Sequence, residues 1–339
     1  MTSITRPSMR VEEFLGPAES RFFSNGYRRV DYDFGEVFLN ALDGSSATLT
    51  TNVSMRYPVD WSTKAAGALR PHLSTVDAIL LGVQMSDLCL THAFALDAER
   101  RRRMWVKSIR IKAGTAPAEE LAQVGVAARL EETRPGPGGT MISDLTCQIG
   151  TMRARCEVTH PAAVLVTGAA RHADPAELLG PAGNRYYGTG FSRGGQVIED
   201  VVLDVPTAVA SAAISIDPAD GADHGFGGAY QPGATPVDCF VTSMQLAQVL
   251  LYALDSIERA DSNTLWMRAT AIEVAGPAQP VMDRLHLITS LQNTGLHATR
   301  DAVWRTADVI ARLGQISVTC AVAHQLPSGQ FPPATPTTA

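Results

Sequence analysis

Apolar and polar residues alternate one by one over 46–57. Leu49, Thr51, Val53, Met55 and Tyr57 take one side, and Thr50, Asn52, Ser54 and Arg56 the other. A period of two predicts a strand with one face buried. The stretch 28–40 before it also reads as strand. The pattern then changes. In AILLGVQMSDLCLTHAFAL (78–96) and CFVTSMQLAQVLLYAL (239–254), apolar residues occur nearly all round a helical wheel. Helices of this kind, predicted over 75–96 and 236–258, must be enclosed rather than half exposed. Ser74-x-x-Asp77 and Thr235-x-x-Asp238 fit capping boxes at their starts, and Pro236 takes the favoured first position. After the first helix, strands are predicted at 104–113, 121–133 and 141–159, with RPGPGG at 134–139 as a hairpin turn. Around the second they are predicted at 191–205, 207–217, 264–274, 281–292 and 303–324.

The order repeats because the sequence repeats. Residues 15–29 (LGPAESRFFSNGYRR) and 179–193 (LGPAGNRYYGTGFSR) are identical at seven of fifteen positions, and three more exchange one aromatic for another. Unrelated segments would share about one. At a spacing of 161, Gln84 matches Gln245 and Trp105 matches Trp266; at 164, Gly150 matches Gly314 and His160 matches His324. A chain of 339 residues therefore holds two units of about 145, too long for solenoid repeats and consistent with a tandem pseudo-dimer. Two strands, one buried helix and about three more strands is the order of a hot-dog fold. The expected class is α+β: a double hot-dog, an antiparallel sheet wrapped around a long helix in each unit, with a pseudo-two-fold axis. Expected bounds are 13–160, a linker at 161–178, 179–326, and a loose tail at 327–339. The Pro/Ser/Thr-rich first dozen residues are expected to be loose too.

Composition narrows the partners. With 45% hydrophobic residues, 18% charged and a net charge of −6, the chain does not fit nucleic acid or an anionic membrane as its main partner. No basic region precedes an apolar run at the N-terminus, so no signal peptide or transmembrane helix is expected. Cys89, Cys147, Cys156, Cys239 and Cys320 are scattered without CxxC spacing, which fits free thiols in a cytoplasmic protein and no metal site. No Walker loop, GxSxG, HExxH or dinucleotide fingerprint is present, and no cofactor is expected.

The leader LGPAxxRFF, the PHLSTVD segment at 71–77 and the TPVD…MQLAQVLLYALD segment at 235–255 resemble the avirulence protein D (AvrD) family over about residues 12–325. The resemblance implies a part in making acyl-sugar-derived signal molecules, by joining a β-ketoacyl chain to a ketopentose. A parallel resemblance is to butyrolactone synthases of the A-factor type, which look like tandem hot-dogs and condense β-ketoacyl carrier-protein thioesters with a three-carbon sugar phosphate. Neither transfers a proven catalytic residue.

Candidate chemistry centres on the helix starts. His72 and Asp77 stand in an H-x-x-x-x-D-A pattern resembling that of polyketide-synthase dehydratases, and a His/Asp pair can act as base and acid. Asp77 and Asp238 equally fit plain capping carboxylates. The halves differ at this place: Gly233 stands opposite His72, while the second half offers His224 in the loop ADHGFGGAY. Either histidine, His72 or His224, also reads as a surface or loop residue. The catalytic candidates are thus His72, Asp77, His224 and Asp238. Lys107 and Arg268 share strand faces with Ile109 and Ile111, and with Thr270 and Ile272, respectively. Each is a clamp for an anionic group or a paired, snorkelling cation. Gln84 and Gln245, inside the helices, either bond backbone or line a thioester tunnel. Arg29 and Arg193 read as salt-bridging or as a phosphate clamp, the Arg100–Arg103 run as solvated or as a docking patch for an acidic acyl carrier protein, and His160 and His324 as structural.

Together these residues point to an acyl-thioester-dependent enzyme. It would condense or transfer a β-ketoacyl chain, delivered by an acyl carrier protein or CoA, onto a small sugar-like hydroxyl acceptor. A dehydratase or cyclase acting on a polyketide-type intermediate, and a non-catalytic lipid- or signal-binding pseudoenzyme, stay open beside it. A homodimer is compatible with the sequence.

Overall fold

The structure is a computed structural model that describes residues 9–42, 46–64, 67–262, 265–277, 284–299 and 302–327. Most of the expected tail, 328–339, lies outside the described residues. The first half supplies strands β1 (Asp31–Phe34), β2 (Val37–Leu42), β3 (Ser46–Arg56), β4 (Trp105–Lys112), β5 (Val124–Pro135), β6 (Thr140–Ile149) and β7 (Met152–Pro161). β8 (Gly168–His172) follows, then β9 (Gly195–Asp204), β10 (Val209–Asp217), β11 (Leu265–Val274), β12 (Leu285–Ala298), β13 (Val303–Leu313) and β14 (Ile316–Gln325). All fourteen join one antiparallel sheet, in the order β8-β2-β3-β5-β6-β7-β4-β11-β14-β13-β12-β10-β9, with β1 also on β3.

Apart from β8, which has no counterpart, that order reads outward in the same way from its middle. At the central pair, β4 and β11, Arg110 faces Ala271, Ser108 faces Glu273 and Lys112 faces Ala269. Residues related by the sequence spacing of 161 thus exchange places across this junction. The runs expected at 141–159 and 303–324 are each two strands. Gly150 and Gly314, at φ 51° and 57°, take the left-handed conformation that closes a tight hairpin between them.

Two helices, α1 (Thr75–Phe94) and α2 (Pro236–Asp255), lie inside the wrap. α1 packs on β3, β5, β6 and β7, and α2 on β10, β12, β13 and β14. Every residue of α1 except His92 is buried, so its apolar circumference has no wet side. Each enclosed Leu, Ile or Val contributes ~1.5–3 kcal/mol relative to exposure. By length and composition α2 could cross a membrane, yet its surroundings are strands. Both capping boxes form as the sequence predicts, and both helices end on a left-handed residue, Ala95 and Ser256.

Three expectations need correction. The segment before residue 13 is not loose where it is described: Val11 is buried and donates to the Ile198 carbonyl, and Val201 donates to that of Met9, so the segment runs along β9. The linker region is not plain linker, since β8 within it pairs with β2 at the sheet edge. The repeated leaders do not stay with their own halves. Residues 12–15 and 22–26 pack on α2, and residues 176–179 pack on α1. Close approach explains why the leader keeps a glycine in both copies. A Cβ on Gly26 would sit 2.0 Å from the Trp61 carbonyl oxygen, and one on Gly190 2.5 Å from the Cβ of Ala222, which stands at the same relative position.

Candidate active site

The start of α1 is built from four hydrogen bonds. Ser74 Oγ accepts the Asp77 N–H, and Asp77 Oδ2 accepts the Ser74 N–H at 2.7 Å. Tyr32, on β1, donates its hydroxyl to Asp77 Oδ1 at 2.5 Å, and Tyr57 donates to Oδ2. Asp77 is buried with both oxygens occupied. Burial pushes its carboxyl up from the ordinary value, and the four hydrogen bonds pull the other way. At the start of α2, Asp238 accepts from Gln196 Nε2 at 2.5 Å and from the N–H and hydroxyl of Thr235 at 2.8 and 2.6 Å. Burial likewise raises its carboxyl. Both aspartates organise helix starts, and no hydrogen bond joins Asp77 to His72.

A cavity of about 270 Å³ opens in front of α1. Its walls are apolar: Phe22 and Phe23 from the leader, Trp61, Leu73, Met152, and Leu265, Trp266 and Met267 from β11. Both halves of the chain therefore contribute. His72 lies on the wall, with Trp61 edge-on to its ring at 5.6 Å. Its Nδ1 is 3.2 Å from the Arg70 carbonyl oxygen. A carbonyl only accepts, so the proton of neutral His72 sits on Nδ1 and the Nε2 lone pair is left for chemistry. Ser74 and Thr75 also line the cavity. The N–H groups of Thr75 and Val76 belong to the first helical turn, where no intrahelical acceptor exists, and they mark the positive end of a 20-residue helix.

The same cavity is also lined by cations, besides the Arg70–Glu119 ion pair. Arg21, Lys64 and Arg259 line it. Arg21 is 2% exposed; one guanidinium nitrogen donates to Gln245 Oε1 at 2.7 Å, another pairs with Glu12, and Nε has no partner among the described residues. Arg259 donates to the Ser20 carbonyl at 2.7 Å. Burial, then the charge of Arg259, pushes the Lys64 ammonium down to about 8.

The equivalent place at α2 is nearly full. Trp105, Val106, Tyr187, Thr235, Pro236 and Ile316 border a cavity of only about 50 Å³, where Phe226 and Tyr230 also stand. By the repeat spacings, Trp105, Val106, Tyr187, Thr235 and Pro236 match Trp266, Met267, Phe23, Ser74 and Thr75. The glycine-rich loop ADHGFGGAY, 222–230, thus brings the Phe226 and Tyr230 side chains to this site.

Other sequence candidates fall elsewhere. His224 lines neither cavity; its side chain is 63% exposed and lies 3.2 Å from Asp223. Lys107 does not share the apolar face of Ile109 and Ile111, because a bulge between Val106 and Ser108 shifts the alternation there. Its ammonium pairs with Glu157 at 3.2 Å. A matching bulge between Met267 and Ala269 puts Arg268 in the exposed set. Gln245 does not line the cavity; it bonds Arg21 and the Phe23 carbonyl and so fixes the leader on α2. Gln84 is buried within α1, away from both cavities. Arg29 pairs with Asp60, and Arg193 donates to the Gly183 carbonyl. The Arg100–Arg103 run is not uniformly solvated, since Arg101 is buried and grips both oxygens of Asp87 at 3.0 Å. His160 and His324 are both fully buried on β7 and β14. All five cysteines are free and buried.

The sequence reading missed Arg21, Lys64 and Arg259, and the tyrosines that hold Asp77. One signal for Arg21 was visible, because it is identical in the two leaders (Arg185 in the second).

Antiparallel strands wrapped around enclosed helices, with a cavity at one helix start, define a protein of hot-dog type. The chain belongs to the family described as Pseudomonas avirulence D protein (AvrD), which it matches over residues 8–327. No curated protein matches it. Among solved structures it is similar to the tesB protein of Mycobacterium avium subs paratuberculosis, at 10% identity over 85% of this chain and 96% of that one, TM-score 0.38. A putative oleoyl thioesterase from Lactobacillus plantarum gives 10% identity over 84% and 98%, TM-score 0.43. The dehydratase domain of the polyketide PpsC from Mycobacterium tuberculosis gives 11% over 85% and 98%, TM-score 0.34.

Proposed function

We propose that this chain is a fused pair of hot-dog units, 13–160 and 179–326, related by a pseudo-two-fold axis and retaining one working site. At that site an acyl thioester, presented by a carrier protein or CoA in the cytoplasm, gives its β-ketoacyl chain to a small hydroxyl acceptor. The observation that carries this reading is the cavity itself, whose apolar walls end on His72 and on the open first turn of α1. His72 Nε2 takes the acceptor's hydroxyl proton as the oxygen attacks the thioester carbonyl. The first-turn N–H groups hold the carbonyl oxygen as it becomes negative. The C–S bond then breaks, and the thiolate takes back the proton from the imidazolium. Membership of the AvrD family supports a biosynthetic role of this kind.

The occupied carboxylate of Asp77 favours transfer over dehydration. A dehydratase would need an acid facing the base, and this one is held by Tyr32, Tyr57 and Ser74 behind the wall. The test is to incubate the protein with β-ketoacyl-pantetheine thioesters, with and without a panel of polyols, and to follow thiol release and product mass. Acceptor-dependent thiol release with a matching ester mass is expected. Loss of water from a β-hydroxyacyl thioester, without any acceptor, would sink the transfer reading.

A further inference from the structure

Of the 28 lysines and arginines in the chain, three are lysines: Lys64, Lys107 and Lys112. Lys107 is paired with Glu157, and Lys112 stands exposed on β4. Lys64 alone of the three lines the cavity in front of α1. A short hairpin fixes it there. Thr63 and Lys64 pair with Ala68 and Gly67, Leu69 donates its N–H to the Ser62 carbonyl at 3.0 Å, and Trp61 Nε1 donates to the Leu69 carbonyl at 2.7 Å. The hairpin packs against the turn Arg259–Asp261, which sets the guanidinium of Arg259 near the Lys64 amine. The other half has no such amine. At the spacing of 161 that relates Trp61 to Ala222, Lys64 matches Gly225, in the loop that brings Phe226 to the smaller cavity.

Arginine keeps its proton at any working pH, whereas lysine can shed it and become a nucleophile. An apolar pocket and a neighbouring cation are the surroundings that make it do so, and Lys64 has both. With its ammonium down at about 8, roughly one amine in ten is unprotonated at pH 7, against fewer than about one in a thousand for an ordinary lysine. We infer that Lys64 is a catalytic residue that forms an imine with a ketone of the bound substrate. The free Nζ adds to the ketone carbon, the carbonyl oxygen leaves as water, and a protonated C=N bond takes its place with uptake of one proton. The positive nitrogen draws electrons from the adjacent carbon. That carbon gives its C–H proton to His72 Nε2, which is free again once the thiolate has taken the first proton, and the resulting enamine is a carbon nucleophile. Hydrolysis of the imine restores ketone and amine. That the ketone is the one on the β-carbon of the acyl chain rests on the transfer reading above. The reactive amine does not depend on it.

The experiment incubates the full chain with acetoacetyl-pantetheine, or with heptan-2-one as a ketone without a thioester, in the presence and absence of sodium cyanoborohydride. Intact mass and peptide mapping read the product. A reduced adduct on Lys64 is expected, at least tenfold above that on Lys107 or Lys112, and only where both ketone and reductant are present. Butyryl-pantetheine, which has no ketone, should leave Lys64 unmodified. Lys64→Arg keeps the charge and should lose the adduct; Lys64→Met serves should the arginine variant fail to fold. The absence of an adduct in the wild type, an adduct spread evenly over the three lysines, or equal modification of Lys64 by butyryl-pantetheine would overturn the imine. The two readings fail separately. A Lys64 adduct with heptan-2-one in a protein that shows no acceptor-dependent thiol release keeps the amine and sinks the transfer, and acceptor-dependent release without any adduct does the reverse.

Discussion

Tyr32 and Gln196 hold the same register position in the two halves, and each donates a 2.5 Å hydrogen bond to Oδ1 of the aspartate at its own helix start. Tyr32 faces Met55 on β3, and Gln196 faces Ile216 on β10. The geometry is kept while the chemistry of the donor changes, as expected of a mechanical role: each side chain ties a sheet edge to a helix start.

Asp77 should therefore behave as an anchor. Asp77→Ala strands two tyrosine hydroxyls and the Ser74 N–H, and is expected to lose about 3 kcal/mol or more of stability. Asp77→Asn keeps most acceptors, because the Tyr32 hydroxyl can turn to accept from the amide. It should cost about 1 kcal/mol and leave turnover within a few-fold of wild type. Urea unfolding and steady-state kinetics on the pair would separate these outcomes from a catalytic aspartate, for which Asn would abolish turnover with stability nearly unchanged.

His72→Gln removes the only imidazole on the cavity wall among the described residues. Turnover should fall by about 10²–10⁴ with the melting temperature nearly unchanged. The same substitution at His224, which lies outside both cavities, should leave turnover unaltered. A turnover loss at His224 and none at His72 would refute the placement of the site.

The acid limb of stability should come from histidines. Burial pushes His324 down to about 4, with the charge of Lys64 acting in the same direction, and burial lowers His160 as well. A histidine whose folded pKa lies below its unfolded one binds fewer protons when folded, so its stability contribution is complete above about pH 6.5 and is lost as pH falls toward 4. For His324 that loss is about 3 kcal/mol at most. The raised carboxyls of Asp77 and Asp238 have the opposite sign and do not drive acid unfolding. Neither ring nitrogen of His324 has a hydrogen-bond partner among the described residues. His324→Leu should accordingly match or exceed wild-type stability at pH 7 and flatten the profile between pH 6.5 and 4, as measured by urea unfolding across that range.

Arg101→Met is expected to cost about 3–5 kcal/mol, because it leaves the buried Asp87 without its bidentate partner. The double variant Arg101→Met, Asp87→Leu should recover much of that loss. Chemical unfolding of both variants checks the coupling.

Much of this architecture was legible in the chain. The all-round apolar character of 78–96 and 239–254 required enclosed helices, and the capping boxes marked their first residues to the position. The repeat foretold like elements in the two halves, and apart from β8 the sheet order reads alike from its centre. Strand phase at Lys107 and Arg268 was not legible. A bulge depends on cross-strand pairing, which alternation along one strand does not encode. Nor were the cavity's cations, since Arg21, Lys64 and Arg259 come from three distant segments that only the leader exchange assembles. His72 was singled out by the H-x-x-x-x-D-A pattern and by its difference from Gly233, and it lines the larger of these two cavities.

The exchanged leaders make each half the missing piece of the other. Phe23 stacks edge-on to Phe240 at 6.1 Å, Gln245 holds the Phe23 carbonyl, and in return Arg101 holds the Leu179 carbonyl at 3.1 Å. Neither half owns a finished core, so a chain severed within 162–167 should give two fragments that stay insoluble apart and regain structure when refolded together. Such a molecule behaves as a knot of two partners and not as beads on a string. Mutations in one leader will report in the other half's helix, and any attempt to transplant one half alone must carry the opposite leader with it.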